Sequence, residues 1–142
     1  RAFVDGVKPK YYSHYEPNFV FNINNQQPDW RFVIVCEGPF DAMAIDGVAV
    51  LNNECNETQA DIIESLGREV IVVADRDRAG AKLLKSAMEY GWSASFPVWQ
   101  ETCKDAAEAV RRYGKLFTLQ AILKGRESSR LKIELRRKKL YN

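Results

Sequence analysis

Phe32-Val33-Ile34-Val35-Cys36-Glu37-Gly38-Pro39-Phe40-Asp41 is the stretch that decides the fold. It opens on a continuous apolar run with no polar alternation. That is the pattern of a strand buried on both faces, as in a parallel sheet. The run breaks at a Glu-Gly pair. Pro39 is tolerated in the first turn of a helix, and a short helix is expected from Pro39 to Asp46. The same order returns at Glu69-Val70-Ile71-Val72-Val73-Ala74, which runs into Asp75-Arg76-Asp77-Arg78-Ala79-Gly80.

The flanking sequence continues this alternation. Val48–Leu51 and Ser93–Val98 read as two further strands. Helices are expected over Thr58–Leu66, Arg78–Tyr90 and Asp105–Tyr113, with Gly67, Gly91 and Gly114 as stops. Leu116–Lys124 and Glu127–Leu140 read as additional helices. Strand and helix in strict succession imply right-handed crossovers and a mostly parallel sheet with helices on both faces. The expected class is therefore α/β, with ligands at the carboxyl ends of the strands. Residues 1–31 differ. They are rich in aromatics (Phe3, Tyr11, Tyr12, Tyr15, Phe19, Phe21, Trp30) among Asn, Gln and Pro, with a short strand expected over Asn18–Asn24. They read as an edge hairpin or the remnant of an upstream domain, with the aromatics packing over a sheet edge rather than stacking bases. The expected division is 1–31, 32–114 and a basic helical segment, 115–142.

At 142 residues the chain has room for one domain with its own core. It starts with Arg1, not Met, and reads as a piece of a longer protein; its first residues do not read as a signal peptide. Cys36, Cys55 and Cys103 are too widely spaced for a zinc site or a disulfide framework, which fits a reducing cytoplasmic compartment. His14 is the only histidine, which excludes His-rich metal sites. The net charge of +2 hides a division: residues 124–142 carry eight basic and two acidic side chains, and the other 123 carry 13 basic and 17 acidic ones. The tail is thus +6 and the body −4, which suggests two separate electrostatic roles.

Acids collect directly after the strands: Glu37 and Asp41, Asp75 and Asp77, then Asp105. Clustered carboxylates repel one another unless a cation joins them. A donor set of oxygen alone suits Mg²⁺ or Mn²⁺. An extended Asp75-x-Asp77 puts both carboxylates on one side. Asp77 and Asp105 also suit helix N-caps, and Asp41 suits a first helical turn. Glu37, directly behind four apolar strand residues, has no such local role. Arg76 and Arg78 flank the Asp-x-Asp and Lys104 precedes Asp105, where each meets phosphate or ends as solvated charge. Arg136, Arg137, Lys138 and Lys139 read either as salt-sensitive contacts to a nucleic-acid backbone or as the polar side of a helix whose Leu131, Leu135 and Leu140 pack on the body or on a domain outside this sequence.

This constellation resembles the Toprim domain, a Rossmann-like fold shared by topoisomerases, DnaG-type primases, recombination mediators and several nucleases. The resemblance covers about Phe32 to Gly114. Val35-Cys-Glu-Gly-Pro-Phe-Asp-Ala42, Asp75-Arg-Asp-Arg-Ala-Gly80 and Cys103-Lys-Asp-Ala-Ala-Glu108 are similar to primase elements, including those of phage primases. Ala107 stands where the third element carries Asn, so no side-chain amide is available there. The resemblance implies nucleotidyl transfer, with Glu37, Asp75 and Asp77 catalytic and Glu37, Asp41, Asp75, Asp77 and Asp105 holding Mg²⁺ or Mn²⁺. It further implies a single-stranded DNA template, nucleoside triphosphates as substrates, a replicative helicase as partner and the (host) cytoplasm as location. A Toprim nuclease and a non-catalytic DNA-binding scaffold are the alternatives. No upstream-type Cys/His zinc module and no helicase P-loop occur in these 142 residues.

Overall fold

The computed structural model describes residues 18–76, 80–100 and 102–141. Among the described residues five strands form one sheet: β1 (Phe32–Cys36), β2 (Val48–Ala49), β3 (Glu69–Val72), β4 (Ser93–Ser95) and β5 (Arg126–Glu127). Their spatial order is β2-β1-β3-β4-β5. The first four are parallel, with Val35 opposite Val48, Phe32 opposite Glu69 and Ile71 opposite Ser93. The helices are α1 (Pro39–Ile45), α2 (Glu57–Glu64), α3 (Gly80–Tyr90), α4 (Ala106–Tyr113), α5 (Lys115–Lys124) and α6 (Arg130–Tyr141). The mostly parallel α/β sheet expected from the apolar runs is what forms.

Each central strand divides its side chains between two cores. Val33 and Val35 of β1, with Val70 and Val72 of β3, pack under Ile63 of α2, Leu83 and Leu84 of α3, and Ile133 of α6. Ile34, Cys36 and Ile71 face the other way, toward Ile45 of α1, Ala106 of α4 and Ile122 of α5. Both faces are dry, so neither parity of the strand can be polar. The turn from α1 into β2 presses against β1: a Cβ on Gly47 would lie 2.5 Å from the Ile34 carbonyl oxygen, so only glycine fits.

β2 is shorter than expected. It ends because Leu51 adopts φ 64°, which turns the chain out of the sheet while its N–H still reaches the Glu37 carbonyl at 3.0 Å. The strand expected over Asn18–Asn24 reduces to one antiparallel bridge between Phe21 and Ala49, followed by a 3-10 turn at Ile23–Asn25. Asn22, at φ 69°, makes that turn, and its amide donates to the Gly47 carbonyl at 2.9 Å. The aromatics before Asn18 lie outside the described residues. Gln59 ties this segment down. Fully buried, it donates to the carbonyls of Phe19 and Val50 at 2.8 and 3.0 Å, and completes a capping box with Asn56.

The basic tail departs most from expectation. Arg126 and Glu127 are not helical; they form β5, antiparallel to β4, with Ala94 opposite Glu127. Gly125 permits this, since a Cβ there would sit 2.7 Å from the Phe96 carbonyl oxygen. α6 then returns across α3 and buries Ile133 completely. Of the two packing alternatives for Leu131, Leu135 and Leu140, the body does not cover them: they are 55–69% exposed. No described helix is long and apolar enough to cross a membrane.

Candidate active site

The carboxyl ends of β1 and β3 lie side by side, because these strands pair over Phe32–Val35 and Glu69–Val72. Glu37 leaves β1 there and its Oε2 accepts the Asp75 backbone N–H at 2.9 Å, which fixes the end of β3. Asp41, in the first turn of α1, is 7% exposed and its Oδ1 accepts the Ala107 N–H at 2.9 Å. That bond ties α1 to the first turn of α4. Asp105 caps α4 by accepting the Glu108 N–H at 2.8 Å. The carboxyls of Asp105 and Asp75 both act on that of Asp41.

Electrostatics record this convergence. Burial pushes the Asp41 carboxyl up to about 6; the Ala107 N–H opposes the shift and the nearby Asp105 adds to it. The buried Cys36 thiol at the end of β1 is pushed well up, first by burial and then by Asp41, Asp75, Glu37 and Asp105. Four of the five predicted carboxylates therefore surround one strand end. Asp77 and Arg78 lie outside the described residues. Among those described, no three His, Cys, Asp or Glu side chains form a ready-made metal site. The donor chemistry still fits a hard divalent cation: every candidate ligand is a carboxylate oxygen. Gly38, between Glu37 and Asp41, is not required by the chain itself. Its φ is −110°, and a Cβ would meet only Asp41 Oδ2, at 3.6 Å.

The cations divide into engaged and outward-facing groups. Arg76 is a strap for the loop after β4: its guanidinium donates to the carbonyls of Pro97 (3.0 Å) and Gln100 (3.2 Å) and lies 5.6 Å from the Trp99 ring centroid. Its backbone N–H donates to the Lys104 carbonyl at 3.0 Å, and the Lys104 side chain is exposed. Arg137 is engaged by Glu134 one turn earlier. Arg136 lies 5.2 Å from the Phe96 ring centroid, while Lys138 and Lys139 are exposed. The Glu37–Asp75 and Asp41–Ala107 bonds were not legible in the sequence, since their partners are 38 and 66 residues apart. Trp99, an aromatic in the polar loop after β4, was the one local sign of a supported edge there.

A family model described as Toprim-like matches residues 34–110, from β1 through most of α4. The chain belongs to the Toprim-like family. This Toprim domain is 30% identical over 93 residues to a DNA primase of Aquifex aeolicus, across 59% of this chain and 19% of that protein. It spans about a fifth of the length of that curated relative. Its fold is similar to part of the DnaG catalytic core, with a TM-score of 0.62 at 20% identity over 79% of this chain and 41% of that one. The zinc-binding and RNA polymerase domains of the Aquifex aeolicus primase match with a TM-score of 0.61 at 23% identity, over 80% and 32% of the two chains. A DnaG primase catalytic domain bound to single-stranded DNA gives 0.60 at 19% identity, over 79% and 40%. The Toprim match includes every described carboxylate of the site and stops before α5, β5 and α6.

All three cysteines of the domain are buried and free. Burial raises each thiol, that of Cys55 to about 12, so the reactive thiolate is scarce. No thiol is expected to react with a chromogenic disulfide reagent in the folded domain, and three are expected in denaturant. Rapid labelling of even one in native buffer contradicts this packing.

Proposed function

We propose that this chain is the catalytic Toprim domain of a DNA primase, serving metal-dependent synthesis of RNA primers on single-stranded DNA from nucleoside triphosphates. The observation that carries the proposal is the placing of Glu37 and Asp75 together at the ends of β1 and β3, with Asp41 bonded to the first turn of α4 that Asp105 caps. In the reaction a 3′-hydroxyl attacks the α-phosphate of the incoming nucleotide, an O–P bond forms, and pyrophosphate departs with the electrons of the broken bond. Glu37, Asp41, Asp75, Asp77 and Asp105 would hold Mg²⁺ or Mn²⁺. Such a cation lowers the pKa of the attacking hydroxyl and neutralises charge on the leaving oxygens.

The chain's own part is positional. Glu37 holds the Asp75 backbone through its N–H, so the two carboxylates keep their spacing. Asp41 binds the first turn of α4, which holds Asp105 on the same edge. Gly38 leaves room for a ligand beside Asp41. Lys104 and Arg76 supply positive charge to phosphate groups near these acids. The template, the nucleotides, a replicative helicase and the cytoplasm, or host cytoplasm, complete the proposed setting.

The deciding experiment uses the complete protein with single-stranded DNA, the four ribonucleoside triphosphates and Mg²⁺. Short RNA products that require both template and nucleotides are expected. Metal-dependent cutting of the strand without nucleotides replaces the proposal with a nuclease. Failure of Mg²⁺ and Mn²⁺ to bind in a calorimetric titration replaces it with a DNA-binding scaffold.

A further inference from the structure

A cleft of about 330 Å³ lies between the carboxyl ends of β3 and β4 and the face of α6. Ala74 leads into it from β3, Ser95 and Phe96 from β4, and Arg136 and Lys139 reach it from α6. Arg76 closes the side nearest the carboxylates. Three cations line the cleft and no carboxylate does. Among the described residues, neither Arg136 nor Lys139 has an acid within 4 Å, unlike Arg137, which Glu134 engages. Arg136 lies over Phe96, which orients its planar donors, while Arg76, held by the Pro97 and Gln100 carbonyls, adds its charge to the wall. A larger cleft, of about 820 Å³ between α3 and α6, mixes Lys82, Lys85 and Arg130 with Glu54, Glu89 and Glu134, so its charges cancel.

We propose that the cleft walled by Arg76, Trp99, Arg136 and Lys139 is a binding site for the phosphate groups of a nucleotide or nucleotide chain. Its charge and its position at the strand ends suit an anion, and its volume suits one phosphate chain. α6, beyond the Toprim match, thus contributes the cations that the acidic body lacks. The inference rests on the proposed function only for which phosphates arrive there, those of a triphosphate or those of a strand backbone.

The test is calorimetric titration of the chain with sodium tripolyphosphate in EDTA, which keeps the carboxylate site metal-free. Binding is expected, weakening with salt. Arg136→Ala and Lys139→Ala are each expected to weaken it about tenfold or more, since each removes a charge-assisted contact. Arg137→Ala and Lys138→Ala are expected to leave it unchanged. Arg136→Lys should recover part of the loss, because it restores charge without the planar fork. Competition by ATP assigns the site to a triphosphate, and competition by a dephosphorylated oligothymidylate assigns it to a strand backbone; either supports the site. No tripolyphosphate binding, or wild-type binding by both Arg136→Ala and Lys139→Ala, overturns it. Asp75→Ala should bind tripolyphosphate normally in EDTA, so loss of the metal assignment and loss of this site remain separate results.

Discussion

Glu37→Gln is expected to lower primer synthesis by the complete protein about 10²- to 10⁴-fold, as removal of a proton-transferring or charge-positioning group does. The melting temperature should move by no more than about 2 °C, because exchange at a site with its hydrogen bond retained costs little. The substitution separates two roles. Oε2 of Glu37 accepts the Asp75 N–H, and the amide oxygen of Gln accepts it equally well. Only the charge is removed. If activity survives, Glu37 is a structural tie for the end of β3 and nothing more. The companion variants Asp75→Ala and Asp77→Ala should abolish calorimetric Mn²⁺ binding while the fold persists. Unchanged metal affinity in both would remove these carboxylates from the site.

Ile133→Ala is expected to cost about 2–5 kcal/mol, the range for truncating a fully buried aliphatic side chain. That corresponds to a fall in melting temperature of about 5–15 °C for a domain of this size. Ile133 is wholly buried in the core shared with α3, and among the described side chains of α6 it is the one apolar group sent fully inward. Leu135→Ala, only two residues on, should cost no more than about 0.5 kcal/mol, because that side chain is 59% exposed. Equal losses in thermal melts of the two variants would mean that α6 is rotated from the position described. Ile133→Ala should also weaken tripolyphosphate binding, since Arg136 and Lys139 reach the cleft only while α6 is docked.

The edge of the candidate site was legible because its signals are local. Glu37 follows β1 and Asp75 follows β3 within three residues of the strand. A parallel sheet brings such positions together wherever two strands are neighbours. The first turn of α4 was legible too, as Asp105 suits an N-cap by its chemistry and does cap the helix. The tail's orientation was left open for a related reason. Leu131, Leu135 and Leu140 make a plausible stripe, but a stripe does not say which way a helix is turned. Entry from β5 decided that, and it pointed Ile133 inward.

By itself, then, the amino-acid order determined a doubly covered parallel sheet, four of its five strands and the presence of acids at their ends. Uninterrupted apolar runs can be satisfied only by burial on both faces, and a break from apolar to acidic residues marks where burial stops. The tertiary structure alone decided that Glu37 holds Asp75, that Asp41 holds α4, and that Arg76 is committed to the loop after β4. It also decided that Arg126–Glu127 close the sheet and that Arg136 and Lys139, but not Arg137, line the cleft at the ends of β3 and β4. These are contacts between residues 21 to 66 positions apart or choices of helix rotation. Periodicity reports only on neighbours within a turn or two, whereas such contacts are selected by how whole elements pack.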